Sequence, residues 1–185
     1  MRDFWRIINN SVSSLQSEQL SVIAAHLRKL SDVKLYECWV YFYIAVDELH
    51  SWQLFNAADF FFGESSFSDD TWEYHRRWIV SRGEQEWKLA IKSPDDFYSR
   101  FVDEVRMSNE SFEALTLPFL NEIERRVEEN PDSTLTTVVD RPRLRWQDTP
   151  AKSSDFPNLF PKIAGKLEKY GVESFWDWEF PKKRK

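Results

Sequence analysis

The residues best suited to chemistry lie in the segment SDDTWEYHRRW, which starts at Ser68. Asp69 and Asp70 come first, and His75 and Arg76 follow later in the same segment. Two carboxylates and an imidazole could act as general acid and base or bind a metal ion, and the guanidinium could hold an anion. On this interpretation the segment is a hydrolytic centre at the start of a helix.

The same segment also has a structural interpretation. Serine is a preferred N-cap, and acids in the first turn of a helix oppose its macrodipole, as Asp69 and Asp70 would do behind Ser68. Adjacent acids also point in different directions on a helix. Gly83 follows the segment, and glycine is common at helix ends. The sequence therefore predicts a capped helix between Ser68 and Gly83, and we prefer this interpretation to the hydrolytic one.

Other patterns associated with catalysis or metal binding are incomplete or missing. Asp47 and His50 have the spacing of half a di-metal bundle site, but the sequence lacks a second half. Cys38 lies in an apolar segment without a neighbouring cation, so we expect an inert, buried thiol. Gly-rich phosphate loops and the G-x-S-x-G and H-E-x-x-H signatures are also missing. We therefore predict no catalytic residue, no metal and no cofactor.

The pattern of apolar residues predicts a mainly α fold, a compact single-domain bundle of about seven to nine helices. Fifteen Phe and nine Trp against four Gly favour rigid helical packing. Residues 33–49 carry almost no polar face across their centre, which predicts a central buried helix. Thr, Val and Pro are frequent in residues 132–155, where we expect an irregular excursion or a short strand. Residues 1–180 are predicted to form the domain, and residues 181–185 a basic tail.

The charge of the chain favours a basic protein as partner. The net charge is −6, and without the four cations that end the sequence 21 Lys and Arg face 31 Asp and Glu, which gives −10. Such a body repels the phosphates of nucleic acids, which makes nucleic acid an unlikely partner, and it attracts basic proteins. Nine Trp are more than a core of this size usually needs, and Trp is a side chain that anchors protein interfaces.

The cysteine content and the hydropathy of the chain indicate its compartment. Cys38 is the only cysteine, so an internal disulfide is excluded and a reducing cytoplasm is the simplest location. The sequence lacks a typical secretory signal and an apolar run of membrane-spanning length. We therefore expect a cytoplasmic protein that makes no contact with a membrane.

The segment AADFFFGESSFSDDTWEYHRRWIVSRGEQEWKLAIKSPDDF resembles the uncharacterised bacterial domain DUF4240. Members of that family carry a Ser-Asp-Asp turn and an aromatic residue, then Arg-x-Trp, then a glycine and a further aromatic residue. Where they usually have a turn similar to Gly-Gly-Cys, this chain has ESSF. The resemblance implies a mostly helical, bacterial, cytosolic domain, and no reaction comes with it. The matching positions are Ser68, Asp69, Asp70, Trp72, Arg76, Trp78, Gly83 and Trp87.

Two hypotheses about function follow. The first is a non-catalytic, acidic protein-binding module, whose most concrete form is an immunity or antitoxin protein that neutralises a basic toxin. The alternative is a hydrolase that uses Asp69, Asp70, His75 and Arg76 around a pocket at the helix start.

Overall fold

The computed structural model describes residues 2–13, 15–63, 67–104, 112–137 and 148–171 of the 185-residue chain. These residues form ten α-helices, and no strand is found among them, which confirms the predicted mainly α fold. The helices are α1 (Arg2–Ser11), α2 (Gln16–Leu27), α3 (Asp32–Asp47), α4 (Trp52–Phe62), α5 (Asp69–Ser81), α6 (Glu84–Lys92), α7 (Pro94–Glu104), α8 (Leu117–Glu129), α9 (Phe156–Leu159) and α10 (Pro161–Tyr170).

The excursion predicted near residues 132–155 contains 3-10 turns at Thr134–Thr137 and Ser153–Asp155, and its described parts contain no strand. Local hydrogen bonds explain the first turn, because the Ser133 hydroxyl accepts from the amide of Leu135 at 3.2 Å. Side chains that bond nearby backbone in this way compete with strand pairing. Residues 138–147 lie outside the described residues, as do residues 172–185 with the predicted basic tail.

Serine side chains cap the starts of α3 and α4. The Ser31 hydroxyl accepts a hydrogen bond from the amide of Lys34 at 3.4 Å. The Ser51 hydroxyl accepts from the amide of Leu54 at 3.2 Å. Each bond satisfies an amide that has no partner within the helix, so these two boundaries follow directly from local sequence.

One compact unit consists of Met1–Glu48, Tyr74–Trp87 and Asn109–Leu144. In this unit α1 and α8 each pack against both α2 and α3. The ring of Phe42 stacks on that of Phe119, with the centroids 5.4 Å apart. The apolar side chains that fill its core include Phe4, Ile8, Ile23, Leu27, Leu35, Phe42 and Phe119.

A second compact unit consists of Leu49–Glu73, Lys88–Ser108 and Arg145–Lys185. Here α7 packs against α4 and α10, and α9 packs against the same two helices. Aromatic side chains dominate the core of this unit: Phe61, Phe62, Phe97, Tyr98, Phe156 and Phe160 are buried. The prediction that residues 1–180 form one domain stays a prediction.

Carboxylates from distant parts of the chain cap two helices of the second unit. Asp148 accepts hydrogen bonds from the amides of Trp52 and Gln53 at the start of α4. Asp95, on α7, accepts from the amides of Lys162 and Ile163 at 3.0 and 2.9 Å. The residue before α10 is Phe160, which has no side-chain acceptor, so Asp95 supplies the cap that the local sequence lacks.

Helix α3 is buried on one face only, so the predicted burial of this helix holds for its inner face and is wrong for the opposite face. Its inner face is formed by Leu35, Cys38, Trp39, Phe42, Ala45 and Val46. Val33, Tyr36 and Ile44 are apolar as well, yet they are exposed. A helix that is apolar all round is usually buried all round, so this exposed face requires an explanation.

None of the helices in the described ranges combines the length and the apolar character needed to cross a lipid bilayer.

Candidate functional site

Ser68 and Thr71 together cap the start of α5. The Ser68 hydroxyl accepts a hydrogen bond from the amide of Thr71 at 3.3 Å. In return, the Thr71 hydroxyl accepts from the amide of Ser68 at 2.6 Å. This reciprocal pair has the arrangement of a capping box, with threonine in the place of the usual Glu or Gln. Ser68 therefore has the capping role that the sequence predicts.

Asp69 and Asp70 are exposed in the first turn of α5, whereas His75 and Arg76 are buried. The two carboxylates lie where negative charge opposes the macrodipole. His75 follows Asp70 by five positions, which corresponds to about 8 Å along the helix axis and to a different helical face. The structure therefore places the predicted acids in solvent and the predicted base in the interior, and it does not bring them together.

The imidazole of His75 is neutral at ordinary pH. Burial, and to a smaller extent the charge of Arg76, lowers the pKa of His75 to about 3. The ring packs against Trp78, with the centroids 5.1 Å apart. A general base works best when its pKa lies near the working pH, so a pKa this low makes His75 a weak base.

Arg76 is a buried part of the first unit, only 2% exposed. Its guanidinium donates a hydrogen bond from Nη1 to the backbone carbonyl of Val46 at 3.1 Å. That carbonyl lies in the last turn of α3, where carbonyls have no partner within the helix. The arginine thus satisfies the end of α3, a structural role that differs from the predicted anion site.

The three tryptophans of the motif are also packed within the protein. Trp72 is buried in the second unit, with its ring edge-on to that of Phe55 at 5.2 Å. Trp78 is buried in the first unit. The indole of Trp87 donates a hydrogen bond to the carbonyl of Ala45 at 2.9 Å and packs against Trp5. The three tryptophans therefore contribute to packing within the two units.

Cys38 behaves as the sequence predicts. Its side chain is buried in α3, and burial is the main reason that the pKa of its thiol rises to about 11. The thiolate is the reactive form of cysteine, so this thiol is unreactive near neutral pH. Within the part of the chain that the structure describes, no group of three or more His, Cys, Asp and Glu side chains could hold a metal ion.

Comparison with protein families identifies the family of this chain. Residues 1–140 match the family model described as a protein of unknown function, DUF4240. The chain belongs to the DUF4240 family. The match includes every motif position from Ser68 to Trp87. Comparisons with curated proteins and with solved structures gave no match.

The outer face of α3 is an exposed apolar surface of this DUF4240 protein. We define this outer face as Val33, Tyr36, Val40 and Ile44, which recur three or four residues apart and so share one side of the helix. Val33 is 61% exposed, Tyr36 43% and Ile44 40%, while Val40 is half-buried. Four apolar side chains in a row on one exposed helix face are typical of a binding surface.

Acidic residues accompany the outer face. Glu37 and Glu48 lie on the same side of the helix, and the last turn of α3 holds Asp47 and no basic residue. The nearby cation is Lys34, whose ammonium group lies 2.7 Å from Glu37 and 3.7 Å from Asp3. Acids at the C-terminal end of a helix add to the negative end of the macrodipole. The guanidinium of Arg76, which bonds the carbonyl of Val46, offsets part of this charge, and Glu48 on the outer side is exposed.

The sequence interpretation missed Val33 and Ile44 as candidate functional residues. The signal was present, because the centre of residues 33–49 is apolar on both sides of a helical wheel. A helix in a protein of 185 residues usually has one polar side, so an apolar second side is informative.

Proposed function

We propose that this DUF4240 protein is a non-catalytic, acidic protein-binding module. Its most concrete form is an immunity or antitoxin protein that neutralises a basic partner. The observation that carries the proposal is the exposed apolar outer face of α3 with acids beside it. Apolar and aromatic side chains hold protein complexes together, and tyrosine is among the residues enriched at energetic centres of interfaces.

The net charge of −6 supports a basic partner. Opposite charges accelerate encounter between proteins and suppress wrong partners, whereas apolar contacts determine how long the complex lasts. A bacterial cytoplasmic location belongs to the same proposal, because a chain with one buried thiol suits a reducing compartment.

No observation favours a hydrolytic role for the candidate residues Asp69, Asp70, His75 and Arg76. The carboxylates are exposed, the imidazole is buried with a pKa near 3, and the guanidinium bonds a backbone carbonyl.

Affinity purification from the bacterium that carries the gene, followed by mass spectrometry, tests the proposal. We expect a reproducible partner of net positive charge. The double variant Asp69→Ala with Asp70→Ala should retain this partner as well as the unaltered protein does, because it changes only the helix start. It should also lose about 0.5–2 kcal/mol of stability.

Two results would contradict the proposal. One is that purification from the host repeatedly yields no protein partner. The other is a hydrolytic activity that disappears in the double variant while the melting temperature stays unchanged.

A further inference from the structure

We propose that the outer face of α3 receives an amphipathic helix of the basic partner. The apolar side of that helix would lie on Val33, Tyr36, Val40 and Ile44, and its Lys or Arg side chains would lie beside the acids of α3. This inference rests on the proposed function and identifies its surface and the chemistry of the partner segment.

The spacing of the exposed residues favours a helix as the occupant. Tyr36, Val40, Ile44 and Glu48 follow one another at intervals of four and form one continuous ridge. Ridges of this kind pack into the grooves of a second helix and give the commonest crossing angles between helices. From Val33 to Ile44 the face extends about 17 Å along the axis, which is the length of roughly three turns of a partner helix.

The charge of the chain favours a basic occupant over a second copy of this chain. Each copy carries a net charge of −6, so two copies repel each other, whereas a basic segment is attracted. The ammonium group of Lys34 pairs with Glu37 and Asp3 near the start of α3. Glu48 is exposed at the other end of the face, where a lysine or arginine of the incoming helix would meet its carboxylate.

The test uses two synthetic helical peptides with the same leucine face. One peptide carries lysine on both sides of that face, and the other carries glutamate. Binding to the full chain is measured by fluorescence anisotropy at moderate salt. We expect the lysine peptide to bind and the glutamate peptide to bind at least about tenfold more weakly.

A matched pair of variants locates the binding surface. Ile44 on α3 and Ile91 on α6 are both isoleucines in helices, and each is 40% exposed. Ile44→Lys should weaken binding of the lysine peptide about tenfold, whereas Ile91→Lys should change it less than about twofold. Val33→Lys is a second variant at a position 61% exposed, so its fold is preserved even if Ile44→Lys is destabilised. Circular dichroism melts check each variant.

Three results would overturn the inference. The first is equal binding of the two peptides, or no binding of either. The second is equal weakening by Ile44→Lys and Ile91→Lys. The third is a dimer of the unaltered chain that Val33→Lys dissociates, because a second copy would then cover the face.

The same variants separate this inference from the proposed function. If Ile44→Lys and Val33→Lys still retain the natural partner in purification from the host, the surface assignment is wrong and the proposed function stands. If the unaltered chain retains no partner, the proposed function itself is wrong.

Discussion

Gly83 shows how a single residue fixes the connection between α5 and α6. Its φ is 99°, in a region that side chains rarely adopt. A Cβ added here would lie 2.9 Å from Oδ1 of Asn9, the oxygen that accepts a hydrogen bond from the amide of Glu84. The motif glycine is therefore required by the backbone and by a close contact.

We predict that Gly83→Ala lowers the free energy of unfolding by about 1–3 kcal/mol, because it adds backbone strain and displaces Asn9. Gly165→Ala is the matched control, since Gly165 lies inside α10 with no atom within 4 Å of an added Cβ. This control should raise stability by about 0.5–1 kcal/mol. Urea unfolding measures both changes, and a neutral Gly83→Ala would contradict the prediction.

His75 makes stability depend on pH. Its pKa is about 3 in the folded chain, against 6.5 for an unperturbed histidine. Below pH 6.5 the unfolded chain binds a proton that the folded chain does not, so stability falls as pH falls towards 3. The slope should be about 1.4 kcal/mol per pH unit.

Urea unfolding of the unaltered chain and of His75→Gln between pH 7 and pH 5 measures this dependence. Most carboxylates titrate below this range, so the slope due to His75 should be present in the unaltered chain and missing in His75→Gln. Parallel curves for the two proteins would show that His75 is not buried in its neutral form.

The role of α5 could be predicted from sequence only in part. The helix, its serine cap and its terminating glycine follow from neighbouring residues, and the structure confirms all three. The role of Arg76 could not be predicted, because its acceptor is the carbonyl of Val46, thirty residues earlier in the chain. The residues next to an arginine in sequence do not show whether its guanidinium bonds a backbone carbonyl or binds a substrate anion.

At the scale of helices, Arg126 of α8 connects three elements of the first unit. Its guanidinium lies 2.8 Å from Asp32 at the start of α3 and 2.7 Å from Glu122 on its own helix. It also donates to the carbonyl of Leu27 at the end of α2, at 3.1 Å. The hydrogen bond from Arg126 is the main reason that the pKa of Asp32 lies below its usual value.

We predict that Arg126→Leu lowers the free energy of unfolding by about 2–3 kcal/mol, since it leaves two partly buried carboxylates and a helix end without this partner. Arg125→Leu is the control on the neighbouring residue, whose ion pairs with Glu122 and Glu129 lie nearer the surface. It should cost less than about 1 kcal/mol. Equal losses for the two variants, measured by thermal unfolding, would contradict this account of Arg126.

The end of the described chain shows where helix prediction from sequence stops. Apolar residues at helical spacing between Pro157 and Tyr170 are typical of one helix, yet the structure has α9 and α10 with Phe160 between them. The cap of α10 comes from Asp95, 67 residues before Lys162. An acceptor supplied from so far away leaves no signal in the local sequence.

At the scale of the whole molecule, the sign of the charge and the helical class follow from composition and periodicity. The exposed side of α3 does not follow from the sequence, because the pattern of apolar residues is the same for a buried side and for a side that binds a partner. Val33 and Ile44 were assigned to a buried helix on that basis, although both are exposed. The packing of α1, α8 and the 3-10 turn Thr134–Thr137 against α3 shows which of its sides stays exposed.

Methyl-resolved NMR of the full chain, titrated with the lysine peptide, tests the central claim most directly. That claim is that the outer face of α3 binds a basic amphipathic helix. We predict that the methyl signals of Val33, Val40 and Ile44 shift together and saturate, while those of exposed Ile91 and buried Ile79 stay in place. Saturating shifts centred away from α3, with the signals of Val33 and Ile44 unchanged, would contradict the claim.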